Sequence, residues 1–363
     1  MGKTEFSTFP IVAQLLGLKA KRVGHNEYKY PCPNCNGKRS FEANDVFGHC
    51  FSCDISLNYQ SYYAKRRNIS LKEAKKEILS ATGHQVVINE KEEVEIPMAN
   101  ITVRNQVYSK LLSSLFLSKA HMVNLTSRGL STERVTELGY KSFPTTRQKR
   151  DQITKEIIHS GTSVKGIPGF YVEKDGTPTF VYRKRGIMVP YRDYNNLIQG
   201  FQIRKDDSVL TVDADGEKEK KYDWITSKGR DGGCATKAYV HFACDFYYDF
   251  ASGVEKPFLA DTILLTEGAM KADIIHYLSG KPVLAVAGVN SLLDLPKVFK
   301  QIKGSVTKII DCYDMDYLTN EHVQKARKKL QKMIEEEGFE YEILTWDEKY
   351  KGYDDFLLAK SKE

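Results

Sequence analysis

The chain has 363 residues, 41% of them hydrophobic, with 54 basic and 47 acidic side chains and a net charge of +7 at pH 7. That length supports two or three globular units with their own cores. No run approaches the roughly 18 consecutive apolar residues of a membrane span, and Met1-Gly2-Lys3-Thr4-Glu5-Phe6 lacks the regions of a secretion signal. A cytoplasmic protein with no membrane partner is therefore expected.

In chain order, the apolar run Ile11–Leu18 reads as a surface helix, followed by four clustered cysteines and a helix near Leu71–Thr82. A charged stretch, Asn89 to Glu95, lacks apolar periodicity and reads as a linker. A second unit starts near residue 100, with helices at Val107–Leu117 and at Ser131–Leu138, where Ser131 is a plausible N-cap. Strands follow at Phe180–Tyr182, Gly186–Tyr191 and Leu197–Arg204, with a hairpin turn over Asp193–Asn196. Asp213-Ala214-Asp215-Gly216 reads as an exposed loop. From Phe258 the pattern alternates: strands at Thr262–Thr266, Pro282–Ala287, Val306–Tyr313 and Tyr341–Leu344, with helices at Ala269–Leu278, Ser291–Gln301 and Asn320–Glu337. Such alternation predicts a mainly parallel sheet with helices on both faces. The expected class is α+β multidomain. Its units are residues 1–85 around the cysteines, a linker over 86–99, a basic mixed α+β part over 100–257, an α/β part over 258–345, and an acidic tail over 346–363. No GxxxxGK[ST] loop occurs, which argues against an attached ATP-driven helicase.

Charge is unevenly spread: residues 1–90 hold 13 basic and 8 acidic residues, 101–256 hold 25 and 18, and 257–363 hold 15 and 18. A basic front and middle with an acidic end suits a chain that holds a polyanion and gathers carboxylates at a metal.

Seven cysteines include Cys32-Pro-Asn-Cys35 and Cys50-Phe-Ser-Cys53. Two C-x2-C knuckles point two thiolates each at one ion, and four thiolates close a tetrahedral structural zinc site. His49 is an alternative ligand, less favoured because the four cysteines give matched knuckles. Cys312, in an apolar run, reads as a small core residue. Near the knuckles, Lys38 and Arg39 are candidates for single-strand contacts, whereas Phe41 and Phe51 read as packing a small β core. The sequence Tyr30-Pro31-Cys32-Pro33-Asn34-Cys35, then Ser40-Phe41 and Cys50-Phe51-Ser52-Cys53, resembles the zinc ribbon of DnaG-type primases. Cys35 stands where that family usually has histidine. The resemblance implies a template-reading zinc domain.

Glu267-Gly268 follows the first buried strand of the third region, Asp314-Met315-Asp316 follows the third, and Asp354-Asp355 lie in the tail. In an open parallel sheet, loops at the carboxyl ends of strands meet in one crevice. Glu267, Asp314 and Asp316 can thus converge across 47 residues of sequence, and hard oxygens there suit Mg²⁺ or Mn²⁺. The segments Leu264–Gly268, Ala287–Ser291 and Ile309–Asp316 resemble the Toprim domain, which implies divalent metal held by Glu267, Asp314 and Asp316 as catalytic carboxylates. Gly352–Leu357 resembles the family's late acidic segment, which adds Asp354. Many primases carry Asp four residues after the Glu; here that position is Lys271, as in Toprim proteins of phages and mobile elements, and Lys271 is a candidate phosphate contact. Arg185–Arg192, Gly200–Arg204, Ser127-Arg128-Gly129-Leu130-Ser131 and Lys221–Lys228 resemble the basic part of the primase core. This implies Arg185, Arg204, Lys221 and Lys228 as template or nucleotide contacts, with Arg204 the strongest candidate.

The resemblance implies a DNA primase: short RNA primers made on single-stranded DNA from ribonucleoside triphosphates, in a bacterial host's cytoplasm. A replicative helicase is a candidate partner, expected as a separate chain because only six residues follow Leu357. The competing readings are a non-polymerising zinc-ribbon and Toprim nucleic-acid-binding accessory protein, which Lys271 favours, and a metal-dependent nuclease.

Overall fold

The computed structural model describes residues 8–19, 21–24, 27–38, 40–53, 55–82, 96–212, 219–315 and 321–363. Arg39, Asp316, the loop Asp213–Gly216 and residues 86–95 of the expected linker lie outside the described residues. The chain divides into two compact units, Met1–Glu93 and Val94–Glu363.

The first unit opens with α1 (Phe9–Leu15) and a five-stranded antiparallel meander: β1 (Lys21–Gly24), β2 (Glu27–Tyr30), β3 (Phe41–Ala43), β4 (Phe47–Cys50) and β5 (Ser56–Asn58). Strand alternation sends Phe41 and Ala43 of β3 and Cys50 of β4 to one buried face. The helices α2 (Tyr59–Arg67) and α3 (Leu71–Thr82) follow. The α2 helix starts directly off β5, where Asn58 Oδ1 accepts a hydrogen bond from Ser61 N at 2.8 Å. Its Tyr62 ring packs on Phe41 at 4.9 Å and on Phe9 at 5.4 Å, closing a small aromatic core that includes Tyr30.

The second unit begins with α4 (Ile101–Ser113), α5 (Lys119–Thr126), α6 (Thr132–Leu138), β6 (Lys141–Ser142) and α7 (Arg147–His159). The α4 helix starts six residues before the expected Val107, because Asn100 caps it through Val103 N. Ser131 caps α6 through Arg134 N, as its position predicts. A hairpin, β7 (Phe170–Val172) with β8 (Pro178–Phe180), precedes β9 (Gly186–Arg192), β10 (Ile198–Lys205) and β11 (Tyr222–Trp224). The antiparallel sheet runs β11-β10-β9-β6, with the tight turn between β9 and β10 where the sequence places it.

Then come β12 (His241–Ala243), β13 (Phe246–Asp249), β14 (Val254–Pro257), β15 (Thr262–Glu267), α8 (Ala269–Ser279), β16 (Val283–Val286), α9 (Leu295–Ile302), β17 (Lys308–Asp311), α10 (Glu321–Glu336), β18 (Glu340–Ile343) and α11 (Tyr353–Lys360). The second sheet has the order β12-β16-β15-β17-β18, parallel except for β12. The chain is therefore α+β: a β-rich cysteine-bearing unit, then a unit that joins an antiparallel sheet to an α/β sheet.

A buried polar relay joins these two sheets. Tyr140 donates to Asp273 Oδ2, His241 Nε2 donates to Asp273 Oδ1 at 3.0 Å, and His241 Nδ1 accepts from Arg192 N at 2.9 Å. Both ring nitrogens of His241 and both Asp273 carboxylate oxygens are thereby satisfied in a buried place. No helix among the described residues is long and apolar enough to cross a membrane.

Candidate zinc centre and carboxylate site

Cys32 and Cys35 flank the turn after β2, while Cys50 ends β4 and Cys53 follows it. The antiparallel register sets Cys50 opposite Phe41 and Tyr30 opposite Phe41, so the two knuckles meet at one end of the meander. The four sulfurs lie within 4.8 Å of one another, with Cys32–Cys53 at 3.6 Å and Cys35–Cys50 at 3.7 Å. A zinc ion bound to four sulfurs at about 2.3 Å requires sulfur–sulfur edges of roughly 3.8 Å, so the cysteines fit a tetrahedral zinc. Backbone N–H groups of Asn34 and Cys35 point at Cys32 Sγ. Burial pushes the Cys32 thiol up to about 12. Burial also raises Cys35, but hydrogen bonds with Gly37 and Ser40 outweigh it and bring that thiol down to about 7. A bound cation would hold all four as thiolates. His49 lies outside this cluster: alternation along β4 turns it away from Cys50, and its Nδ1 bonds Ser56 at 2.9 Å.

Phe41 is fully buried, but Phe51 is 56% exposed. The expectation that Phe51 packs the core is corrected: it leaves the strand at the second knuckle, where the chain turns around the cysteines. Lys38 is exposed in the same region of the meander.

The α/β sheet has its crevice where connections diverge. The chain leaves β15 through α8 toward β16 on one side, and leaves β17 through α10 toward β18 on the other. This makes the carboxyl ends of β15 and β17 a topological switch point, where ligands of such sheets bind. Glu267 ends β15, and Gly268, at φ +83°, turns the chain straight into α8. Asp314 follows the end of β17. Asp354 sits in the first turn of α11, which packs through Phe356 and Leu357 in the cluster of Ala272 and Ile275 of α8.

Lys271, in the first turn of α8, contacts Asp314 Oδ1 through its Nζ. Lys351 Nζ stands 3.7 Å from Asp314 Oδ2. Burial works against the Lys271 charge, but Asp314, Asp354 and Glu267 outweigh it and hold the ammonium above its ordinary range. Asp354 is only 4% exposed, and its Oδ1 has no hydrogen-bond partner. Burial raises the Asp354 carboxyl, with Lys271 and Arg128 opposing. Among the described residues, the four cysteines form the group of three or more metal-type ligands within 4.8 Å, and the carboxylates do not gather that tightly. The orphaned Asp354 oxygen fits a cation ligand, whereas Asp314 Oδ1, expected to face a divalent ion, faces the Lys271 ammonium.

Two nearby acids are committed elsewhere. Asp311 is fully buried and accepts from Arg327 Nε and Nη2, from Tyr341 Oη at 2.7 Å and from Tyr313 N at 2.9 Å. It fastens α10 and β18 to β17. Asp311→Ala leaves the buried Arg327 guanidinium without its counter-charge, and a loss of about 3–5 kcal/mol in urea unfolding is expected. Asp273, the acid nearest Lys271 in sequence, points into the His241 relay instead of the crevice.

The basic candidates separate into groups. Arg204, 3% exposed at the end of β10, and Lys221 share Asp207, at 3.9 Å and 2.6 Å. Hydrogen bonding to Lys221 holds the Asp207 carboxyl below its usual range, and Arg204 and Arg128 add to it. Arg128 adds a lowering charge to both Asp207 and Asp354, while its Nε donates to Asn124 Oδ1 at 3.4 Å. Arg185 is exposed and pairs with Asp206 at 2.6 Å, whose other oxygen bonds His121 at 2.9 Å. Lys228 is exposed in the turn after β11. Sequence reasoning passed over the site position of Arg128 and the bridging Asp207. The Arg-Gly-Leu-Ser segment was the signal available for the first; a lone aspartate in a turn offers none for the second.

Residues 258–363 match a family described as a domain of unknown function, DUF3854. The whole chain is similar in structure to the zinc-binding and RNA polymerase domains of the Aquifex aeolicus primase: TM-score 0.49, 15% identity, covering 96% of this chain and 79% of that one. It is also similar to the RNA polymerase domain of Mycobacterium tuberculosis primase DnaG, with TM-score 0.47, 15% identity, and coverage of 72% and 82%. A DnaG catalytic core gives TM-score 0.46 at 16% identity, covering 71% and 75%. No curated protein matches the sequence. At these identities the chemistry of the site rests on the side chains described above.

Proposed function

We propose that the chain is a template-directed RNA primase, joining ribonucleoside triphosphates on single-stranded DNA. What supports this reading is that Glu267 ends β15 and Asp314 follows its parallel neighbour β17, with Lys271 of α8 on Asp314 and a buried, unpartnered Asp354 oxygen on α11. Residues 1–85 are assigned as the template reader, through Lys38, Arg39 and the exposed Phe51 ring beside the zinc knuckles. Residues 100–257 carry the basic set, and 258–345 with the tail carry the carboxylates.

In this reading the basic side chains neutralise template and triphosphate charge, and the buried Arg204 holds Asp207, which also pairs with the more exposed Lys221. Lys228 and Arg185 offer exposed charge for the longer run of template. A divalent ion, Mg²⁺ or Mn²⁺, held by Glu267, Asp314, Asp316 and Asp354 supplies charge neutralisation at the triphosphate and activation of the attacking hydroxyl. A replicative helicase is the candidate partner.

The Lys271–Asp314 contact favours a second reading, a nucleic-acid-binding accessory protein that does not polymerise. One assay decides: single-stranded DNA, labelled ribonucleotides and Mg²⁺ or Mn²⁺. Short labelled RNA is the expected product. Cut DNA identifies a nuclease, and retention of DNA with neither product sinks both enzymatic readings.

A further inference from the structure

We propose that Lys271 is a resident cation of the carboxylate site: its ammonium takes the place of one divalent ion over Asp314, leaving a single divalent-ion position served by Asp354 and Glu267. The inference rests on the reading that these carboxylates hold a divalent ion.

Both oxygens of Asp314 already face ammonium groups, Oδ1 that of Lys271 and Oδ2 that of Lys351. Lys271 stands four residues after Glu267, one turn into α8, so its side chain reaches back over the carboxyl ends of β15 and β17. It is a first-turn residue with a positive charge, which the helix dipole disfavours; the three surrounding carboxylates are what retain it there.

Asp354 supplies an independent observation. It is 96% removed from solvent by its 4% exposure, and Oδ1 has no donor. A side chain at Gly352 would meet that oxygen at 2.3 Å and Asp314 Oδ1 at 3.4 Å, so the orphaned oxygen and the Asp314 carboxylate border the same glycine. A buried carboxylate oxygen without a donor costs stability, and a bound cation removes that cost.

Charge disfavours a second ion beside Lys271. Lys271 faces Asp314, Asp354 and Glu267, and Lys351 faces Asp314, while Asp355 adds a further negative charge beside Asp354 and Arg128 a positive one. A second ion would stand against the Lys271 ammonium at short range in a partly buried place, where repulsion is weakly screened.

The test counts Mn²⁺ ions on the full, zinc-loaded chain by electron paramagnetic resonance and titration calorimetry, with no nucleotide or DNA. Wild type is expected to bind one Mn²⁺ per chain. Lys271→Met is expected to bind a second ion, or the first about ten-fold or more tightly, while Lys271→Arg, which keeps the charge, binds as wild type. Asp354→Asn is expected to lose the single site. If Lys271→Met does not fold, Lys271→Gln carries the same expectation. Two Mn²⁺ ions on wild type, or unchanged binding in the neutral variant, overturns the proposal. Because no primer is made in this measurement, the two readings fail separately. Altered Mn²⁺ binding in a protein that makes no RNA sinks the polymerase alone, and RNA synthesis with unaltered binding sinks the resident cation alone.

Discussion

Cys32→Ser or Cys50→Ser is expected to lose the zinc and unfold the first unit while residues 94–363 stay folded. The aromatic core of the first unit centres on Phe9, Tyr30, Phe41 and Tyr62, and Cys32 and Cys50 belong to that same buried cluster. A unit of this size with so small a core is marginal without a staple. Structural zinc contributes an apparent ~10–16 kcal/mol of binding free energy in small metal domains, which is folding free energy where the apo site does not persist. Without the ion, the buried Cys32 thiol stays protonated and the four sulfurs no longer hold the β2–β3 and β4–β5 turns together. The hydrophobic clusters of the second unit are composed of its own residues, so they do not depend on the knuckles. Metal analysis should show one zinc per wild-type chain and none in either variant. Hydrogen exchange should show protection lost in β2 to β5 and kept in β9, β10, β15 and β17. Full protection of β3 and β4 in zinc-free protein would count against a structural role for the ion. A strong chelator should reproduce the effect without any substitution.

Asp314→Asn is expected to lower RNA synthesis on single-stranded DNA by about 100-fold or more, with the fold retained. Asp314 lies in the loop after β17 and is 14% exposed, so the neutral isostere fits without displacing the core. The change removes one negative charge from the crevice and frees the Lys271 ammonium from its partner. Removing one preorganised charge-stabilising group from an active site costs about 10²–10³ in rate. Glu267→Gln should behave in the same way, since Glu267 occupies the end of the adjacent parallel strand. Asp311→Asn is the informative contrast. It lies three residues away, but its oxygens are engaged by Arg327, Tyr341 and the Tyr313 N–H, so its loss should register in unfolding before it registers in rate. Steady-state synthesis with circular dichroism on the same preparations separates the two. Asp314→Asn at wild-type rate would remove Asp314 from the chemistry.

Much of this was legible in residue order because the physics is local. C-x2-C spacing places two thiolates on one turn, and the four cysteines meet as that spacing requires. Unbroken apolar runs at Thr262–Thr266 and Pro282–Ala287 mark strands buried on both faces, and β15 and β16 lie there. Other features were hidden. The α2 helix starts with no loop after β5, so no turn residue separates the two periods. The strand β12 is three residues long and gains its place from pairing with β16, a contact that sequence distance conceals.

The sequence by itself determined that four cysteines form one cluster, that strands and helices alternate from residue 258, and which carboxylates follow which strands. Only the tertiary structure decided what those carboxylates face. Asp311 and Asp314 are three residues apart, yet one is consumed by a buried arginine and the other lies at the crevice. Asp273 turns inward to His241 while Lys271, two residues earlier on the same helix, turns to Asp314. A helix rotates about 100° per residue, so two positions apart means nearly opposite faces. Which face meets the switch point is set by packing between elements distant in the chain, and no local pattern encodes that.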